Sequence, residues 1–188
     1  MDILRQNNNL YRNLTAYRKA MVIYDLTFHF CNKFIDYNDR TKDQMIQAAR
    51  SGKQNIVEGK AASLTSPETH IALLNVARAS FQELLVDLED YLRTRKLQLW
   101  NTDSVQVKTM RNLGLSHNDS DFFMQIAETR GDETIANMII VLIHQEDVLL
   151  RKHIKNQIAK FINQGSFRES LTKARIAKKR GQKFTIKG

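Results

Sequence analysis

The stretch Gln44-Met45-Ile46-Gln47-Ala48-Ala49-Arg50-Ser51-Gly52-Lys53-Gln54-Asn55-Ile56-Val57-Glu58-Gly59 decides the fold, because one helix carries two stripes side by side there. At about 100° per residue, Met45, Ala48, Ala49, Gly52, Ile56 and Gly59 share one face, and Gln44, Ser51, Asn55 and Glu58 line its flank. Ordinary amphipathic helices bury bulky Leu and Ile. Here Ala48, Ala49 and Gly52 let a neighbouring backbone come close, so the flank should be partly buried and must find hydrogen-bond partners.

Working outward, Ser66-Pro67-Glu68 is a strong helix start: Ser66 caps, Pro67 loses no hydrogen bond in the first turn, and Glu68 complements the dipole. Leu74, Ala77, Phe81, Leu84, Leu88 and Tyr91 follow at alternating three- and four-residue steps, the seam of a left-handed bundle. Upstream, Tyr17, Ala20, Tyr24, Phe28, Cys31 and Ile35 predict a first helix with an aromatic-rich seam, and Thr41-x-x-Gln44 fits a capping box for the second. Met138 to Ile143 could stand alone as a buried strand, but the apolar pattern resumes at Leu149, Ile154, Ile158 and Phe161 and argues for a long helix. The spacing therefore predicts an all-α chain: a four-helix bundle over 1–163, with helices at about 12–37, 41–62, 66–99 and 132–163, and a helical insertion at 100–131. Within the insertion, 104–113 and 119–129 predict short helices, with Gly114 and Gly131 as stops. After Asn163-Gln164-Gly165, Ser166-x-x-Glu169 is a second capping box that opens a basic terminal helix and tail over 164–188.

The stretch at 44–59 resembles the Q-I-R-R-A-A-x-S-I-x-x-N-I-A-E-G signature of the 23S rRNA intervening-sequence proteins, a four-helix-bundle family that includes accessory proteins of diversity-generating retroelements. Gln44, Ala48, Ala49, Ser51, Asn55, Ile56, Glu58 and Gly59 match it in register. Leu73 to Leu84 is similar to the family's F-L-x-I-A-x-G-S-L-x-E-L run, and Tyr17-Arg18-Lys19-Ala20 resembles its W-Q-x-A start. The likeness spans about 15–99 and, more loosely, 132–162, leaving the insertion and the tail outside it. The family's Arg-Arg pair is Ile46-Gln47 here and its Ile is Gly52, so an RNA contact made by those arginines does not carry over. The resemblance implies an antiparallel bundle, a homo-oligomer that is pentameric in known relatives, an RNA or DNA partner, and work alongside a nucleic-acid enzyme such as a reverse transcriptase. Together with the flank stripe, the matched motifs predict a polar cluster of Gln44, Ser51, Asn55, Glu58, Ser80 and Glu83 between helices two and three or at a subunit boundary.

Charge is placed unevenly. Residues 151–188 hold twelve Lys or Arg against the single acid Glu169, whereas the rest of the chain is close to neutral, with a net charge of +9 overall. A nearly neutral body with a basic tail points to a polyanion, and Arg168, Lys173, Arg175, Lys178, Lys179, Arg180 and Lys183 are the candidate phosphate contacts. Only Phe167 and Phe184 interleave these charges, which favours backbone contacts over base stacking. The alternative reading is a protein-interaction scaffold whose basic helix docks on an acidic partner.

Catalytic patterns are lacking in the sequence. There is no Glu-x-x-His pair of a di-iron bundle, no glycine-rich phosphate loop, no G-x-S-x-G elbow and no Cys-His nucleophile spacing. Cys31 is the single cysteine and reads as a small core residue, and His144 and His153 share a face as structural histidines. The expectation is a non-enzymatic protein without cofactor or metal, with no membrane association. Lone Cys31, a polar stretch from Met1 to Asn9 and the lack of a long apolar run give a cytoplasmic location.

Overall fold

The computed structural model describes residues 10–63, 65–164, 172, 175, 176 and 179. Every regular element among them is helical: a 3-10 turn (Leu10–Asn13), then α1 (Thr15–Phe34), α2 (Arg40–Ala62), α3 (Pro67–Thr94), α4 (Val105–Ser116), α5 (Ser120–Glu128) and α6 (Asp132–Gln164). The helix α2 packs against α1 and, most extensively, α3, while α6 closes against both α1 and α3; α4 lies on α6 and α5 on α1.

The contact between α2 and α3 follows from the small-residue face. Met45, Ala48, Ala49, Gly52, Ile56 and Gly59 are the buried residues of α2, the same set the periodicity selects. At Gly52 an added Cβ would lie 2.6 Å from the tip of the Phe81 ring, far inside van der Waals contact. Phe81 is itself buried and cannot swing aside without opening the core. The whole α3 seam, Leu74, Ala77, Phe81, Leu84, Leu88 and Tyr91, is buried. Phe30 of α1 meets Tyr91 edge-on with centroids 4.8 Å apart, which ties that seam to the first helix.

Several boundaries differ from the sequence reading for identifiable reasons. Asp39 caps α2, its carboxylate accepting from the Thr41 amide at 2.9 Å, so the Thr41-Gln44 capping box is not the one used. Ser66 and Pro67 do start α3, with Ser66 accepting from the Thr69 amide. That helix ends at Thr94, not at 99, because Lys96 turns into the left-handed region (φ 58°) and the Leu97 amide closes back on the Leu92 carbonyl. The α1 seam is also shifted. Phe28 is half exposed and Tyr24 lies at the margin under the Lys53 ammonium, 3.8 Å from its centroid, while Ile23, Leu26 and Phe30 occupy the centre. Rings at the helix margin can lean on a cation or water; Ile23 and Leu26 have no such option.

The insertion explains the apolar run of α6. Residues Ile135 to Ile143 are buried without interruption, which a helix covered on one side would not require. The helix α4 covers the remaining side. Gly114 does not stop α4 but lies inside it, where any side chain would collide with Gln145 and Leu142 of α6. Asn137 binds the preceding linker: its Nδ2 donates to the Gln98 carbonyl at 2.8 Å, and its Oδ1 accepts from the Trp100 amide at 2.8 Å. The helix α5 starts on Asp119, which accepts from the Phe122 amide, and the Ser120 hydroxyl donates to the Asp25 carboxylate of α1.

Gly52 supplies a test of the α2–α3 contact. Gly52→Ala should destabilise the chain by about 1–3 kcal/mol through overpacking against Phe81. In a Phe81→Ala background the same change should instead stabilise, by up to ~1 kcal/mol of helix propensity. Urea unfolding of the four proteins measures both values, and an unchanged sign would place the contact elsewhere.

Candidate functional site

Of the seven candidate phosphate contacts, the described residues include Arg175 and Lys179, both helical and exposed. Arg168, Lys173, Lys178, Arg180 and Lys183 lie outside the described residues, as does the capping box at Ser166. The end of α6 adds exposed Lys152, Lys155 and Lys160. Arg151 there is bound to Asp147 at 2.7 Å, and Asp147 also accepts from Arg78 of α3 at 2.8 Å.

Within the single chain, Ser51, Asn55 and Ser80 of the six predicted cluster residues are joined at the α2–α3 contact. Ser51 and Ser80 hydroxyls meet at 2.9 Å across the α2–α3 contact, and the Asn55 amide donates to the Ser51 carbonyl at 2.9 Å and to its hydroxyl at 3.2 Å. Gln44, Glu58 and Glu83 are exposed and take no part. The division within the chain has a simple cause: a carboxylate at the rim keeps its hydration, whereas small hydroxyls fit between two helices held this close.

Three groups that periodicity does not single out lie deeper. His144 is exposed and does not partner His153; the partner is His70 of α3, buried, with the two Nε2 atoms 3.1 Å apart. One ring must present N–H and the other a lone pair, so the contact requires at least one neutral imidazole. Burial and the neighbouring His153 hold His70 down to about 4, and burial with Lys60 and Lys160 lowers His153 as well. Secondly, Lys19 of α1 is 3% exposed, its ammonium donating to the Gly114 carbonyl and to Gln145 Oε1 at 3.2 Å. Thirdly, Glu146 is fully buried and neither of its carboxylate oxygens has a hydrogen-bond partner. Burial pushes the Glu146 carboxyl well above the usual range, against the pull of Lys19 and with the help of Asp147. Burial likewise lowers Lys19, with Glu146 opposing. A polar residue inside an apolar stripe is the signal that could have found Lys19 and Glu146.

Cys31 is buried and free, and burial pushes its thiol up to about 12, so it is protonated at neutral pH. Among the described residues no three or more His, Cys, Asp or Glu are grouped to hold a metal ion, and no helix is long and apolar enough to cross a membrane. Comparison of the chain with protein-family models, with curated proteins and with solved structures returns no match.

The histidine pair should contribute to the acid side of the stability curve. Because the folded state holds His70 near 4 against an ordinary 6.5, the unfolded chain binds more protons below pH ~6.5. The contribution is complete above that value and is lost as pH falls toward about 4. Urea midpoints should therefore drop between pH ~7 and ~5, and the His70→Gln/His153→Gln double variant should show a shallower drop over the same window. An equally steep drop in the double variant would assign the acid sensitivity to other groups.

Proposed function

We propose that the chain is an antiparallel four-helix bundle of the 23S rRNA intervening-sequence type, a non-enzymatic cytoplasmic accessory protein that binds RNA or DNA backbone through its basic tail as a closed homo-oligomer. The observation that carries the nucleic-acid reading is the charge asymmetry: twelve Lys or Arg against one acid in 151–188, beside a nearly neutral remainder. Exposed Arg175 and Lys179 on helical backbone, and exposed Lys152, Lys155 and Lys160 at the end of α6, support it. The cyclic packing of α1, α2, α3 and α6 supports the bundle, together with the motif likeness at 44–59 and 73–84. A nucleic-acid enzyme such as a reverse transcriptase is the partner that this likeness suggests.

Oligomerisation has its own support in exposed apolar residues on α3, where Val76 and Val86 are 47% and 49% exposed. A ring closed by rotation would cover the same patch in every copy. Light scattering at micromolar concentration should give a multiple of the 21.8 kDa chain, five in the closed ring that the likeness implies. A strict monomer would remove this part of the reading.

The tail is tested by salt. Each phosphate neutralised by Lys or Arg releases counterions, so with about four to six contacts the log–log slope of binding against salt should be about −3 to −5. Truncation after Asn163 should leave the helical circular dichroism of the body intact and abolish most of the binding. Electrophoretic shifts of generic RNA and DNA at about 50 and about 200 mM salt measure both effects. If the truncated protein binds as well as the full chain, the tail is not the site.

A further inference from the structure

A cavity of about 650 Å³ opens between α6, α4 and the linker that precedes α4. That volume is in the range of small-molecule sites, about 300–1,000 Å³. Its wall is mainly apolar, including Trp100, Val107, Ile140 and Val141. Leu99, Leu115 and Val148, which also line it, are 50%, 74% and 57% exposed, so apolar surface stands uncovered there.

The polar residues in this wall are mostly neutral, and among its charged side chains the cations outnumber the carboxylates. Lys19 and Arg111 line it along with His144, and the one carboxylate among the described lining residues is Glu89. Lys19 is the informative one, because it is almost wholly buried and its three ammonium hydrogens meet two acceptors, Gly114 O and Gln145 Oε1. One donor of a buried cation remains uncommitted. The nearby Glu146 makes no hydrogen bond to it, and complete burial favours the protonated, neutral form of that carboxyl. A buried charge without a hydrogen-bonded counter-ion is costly, and an anion entering the cavity would relieve that cost. Gln145, held by its Nε2 donating to the Arg111 carbonyl at 2.8 Å, fixes where the ammonium points.

We infer that this cavity binds a small amphipathic anion, an apolar chain or ring carrying a carboxylate or sulfonate, with the body against Trp100 and Val141 and the head on Lys19. The site is independent of the basic tail, so the two readings fail separately. It would make the insertion, which holds α4 over α6, a ligand-binding addition to the bundle.

Trp100 is the chain's single tryptophan and lies in the wall, so the site carries its own reporter. Anilinonaphthalene sulfonate added to the full chain should accept energy from Trp100 and saturate. Decanoate should displace it at concentrations about tenfold or more below those needed for decanol, the usual value of one charge-assisted hydrogen bond. Lys19→Met should bring decanoate and decanol to near parity while leaving the decanol value little changed. Equal displacement by the two in the wild-type chain, or a preference that survives Lys19→Met, would overturn the assignment, as would transfer that does not saturate. If Lys19→Met loses its helical circular dichroism, Leu115→Glu decides, since that side chain is mostly exposed: it should weaken decanoate more than decanol, and unchanged displacement would overturn the site.

Discussion

The packing of Gly52 beneath the Phe81 ring is the constraint on which the rest of the structure depends. With no side chain at 52, α2 and α3 approach closely enough for the Ser51 and Ser80 hydroxyls to meet at 2.9 Å, and the ring fills the gap that a Cβ would otherwise occupy. The α3 seam below Phe81 is then aimed inward as one continuous row, from Leu74 to Tyr91, where Phe30 of α1 receives it. Close approach by small residues costs some helix propensity at Gly52 and Gly59, and the interdigitation of buried side chains offsets it.

Against this apolar frame the chain retains several buried polar groups, and each is handled differently. Asn137 is fully engaged, joining the linker at Gln98 and Trp100 to α6. The His70–His153 contact is satisfied as long as one ring is neutral. Glu146 makes no hydrogen bond, and Lys19 spends two of its three donors on the backbone of α4 and on Gln145 rather than on that carboxylate. Carrying an unpaired buried acid beside a buried amine is not how a structure gains stability, since apolar replacements of such groups are often neutral or favourable. The place of Lys19 in the wall of the cavity at α4 gives it a reason that packing does not.

The surface of the described residues includes two chemically different regions. One is an apolar hollow lined in part by Lys19; the other is the set of exposed lysines at the end of α6, Lys152, Lys155 and Lys160. They need not serve one ligand. The apolar hollow selects by shape and by a single charge, while the basic run attracts any dense array of phosphates.

Helix positions, the buried face of α2 and the seam of α3 were legible from residues alone, because 3.6-residue periodicity and the Ser66-Pro67 cap are local properties. The charge asymmetry was equally local, being a count along the chain. Boundaries that hinge on one competing residue were not: Asp39 outcompeted Thr41 as a cap, and the left-handed turn at Lys96 ended α3 early. Nothing in sequence spacing could pair His70 with His153, or show that Glu58 and Glu83 stay in water while Ser51 and Ser80 are joined. Those facts, like the placement of Lys19 against Gly114 across 95 positions, depend on which helices become neighbours. Sequence by itself determined the helices, their apolar faces and the basic tail, since each follows from side chains within a few turns of one another. Only the tertiary structure decided which polar groups are buried, which of them find partners and where a cavity remains, because burial is a property of the assembled helices and not of any one of them.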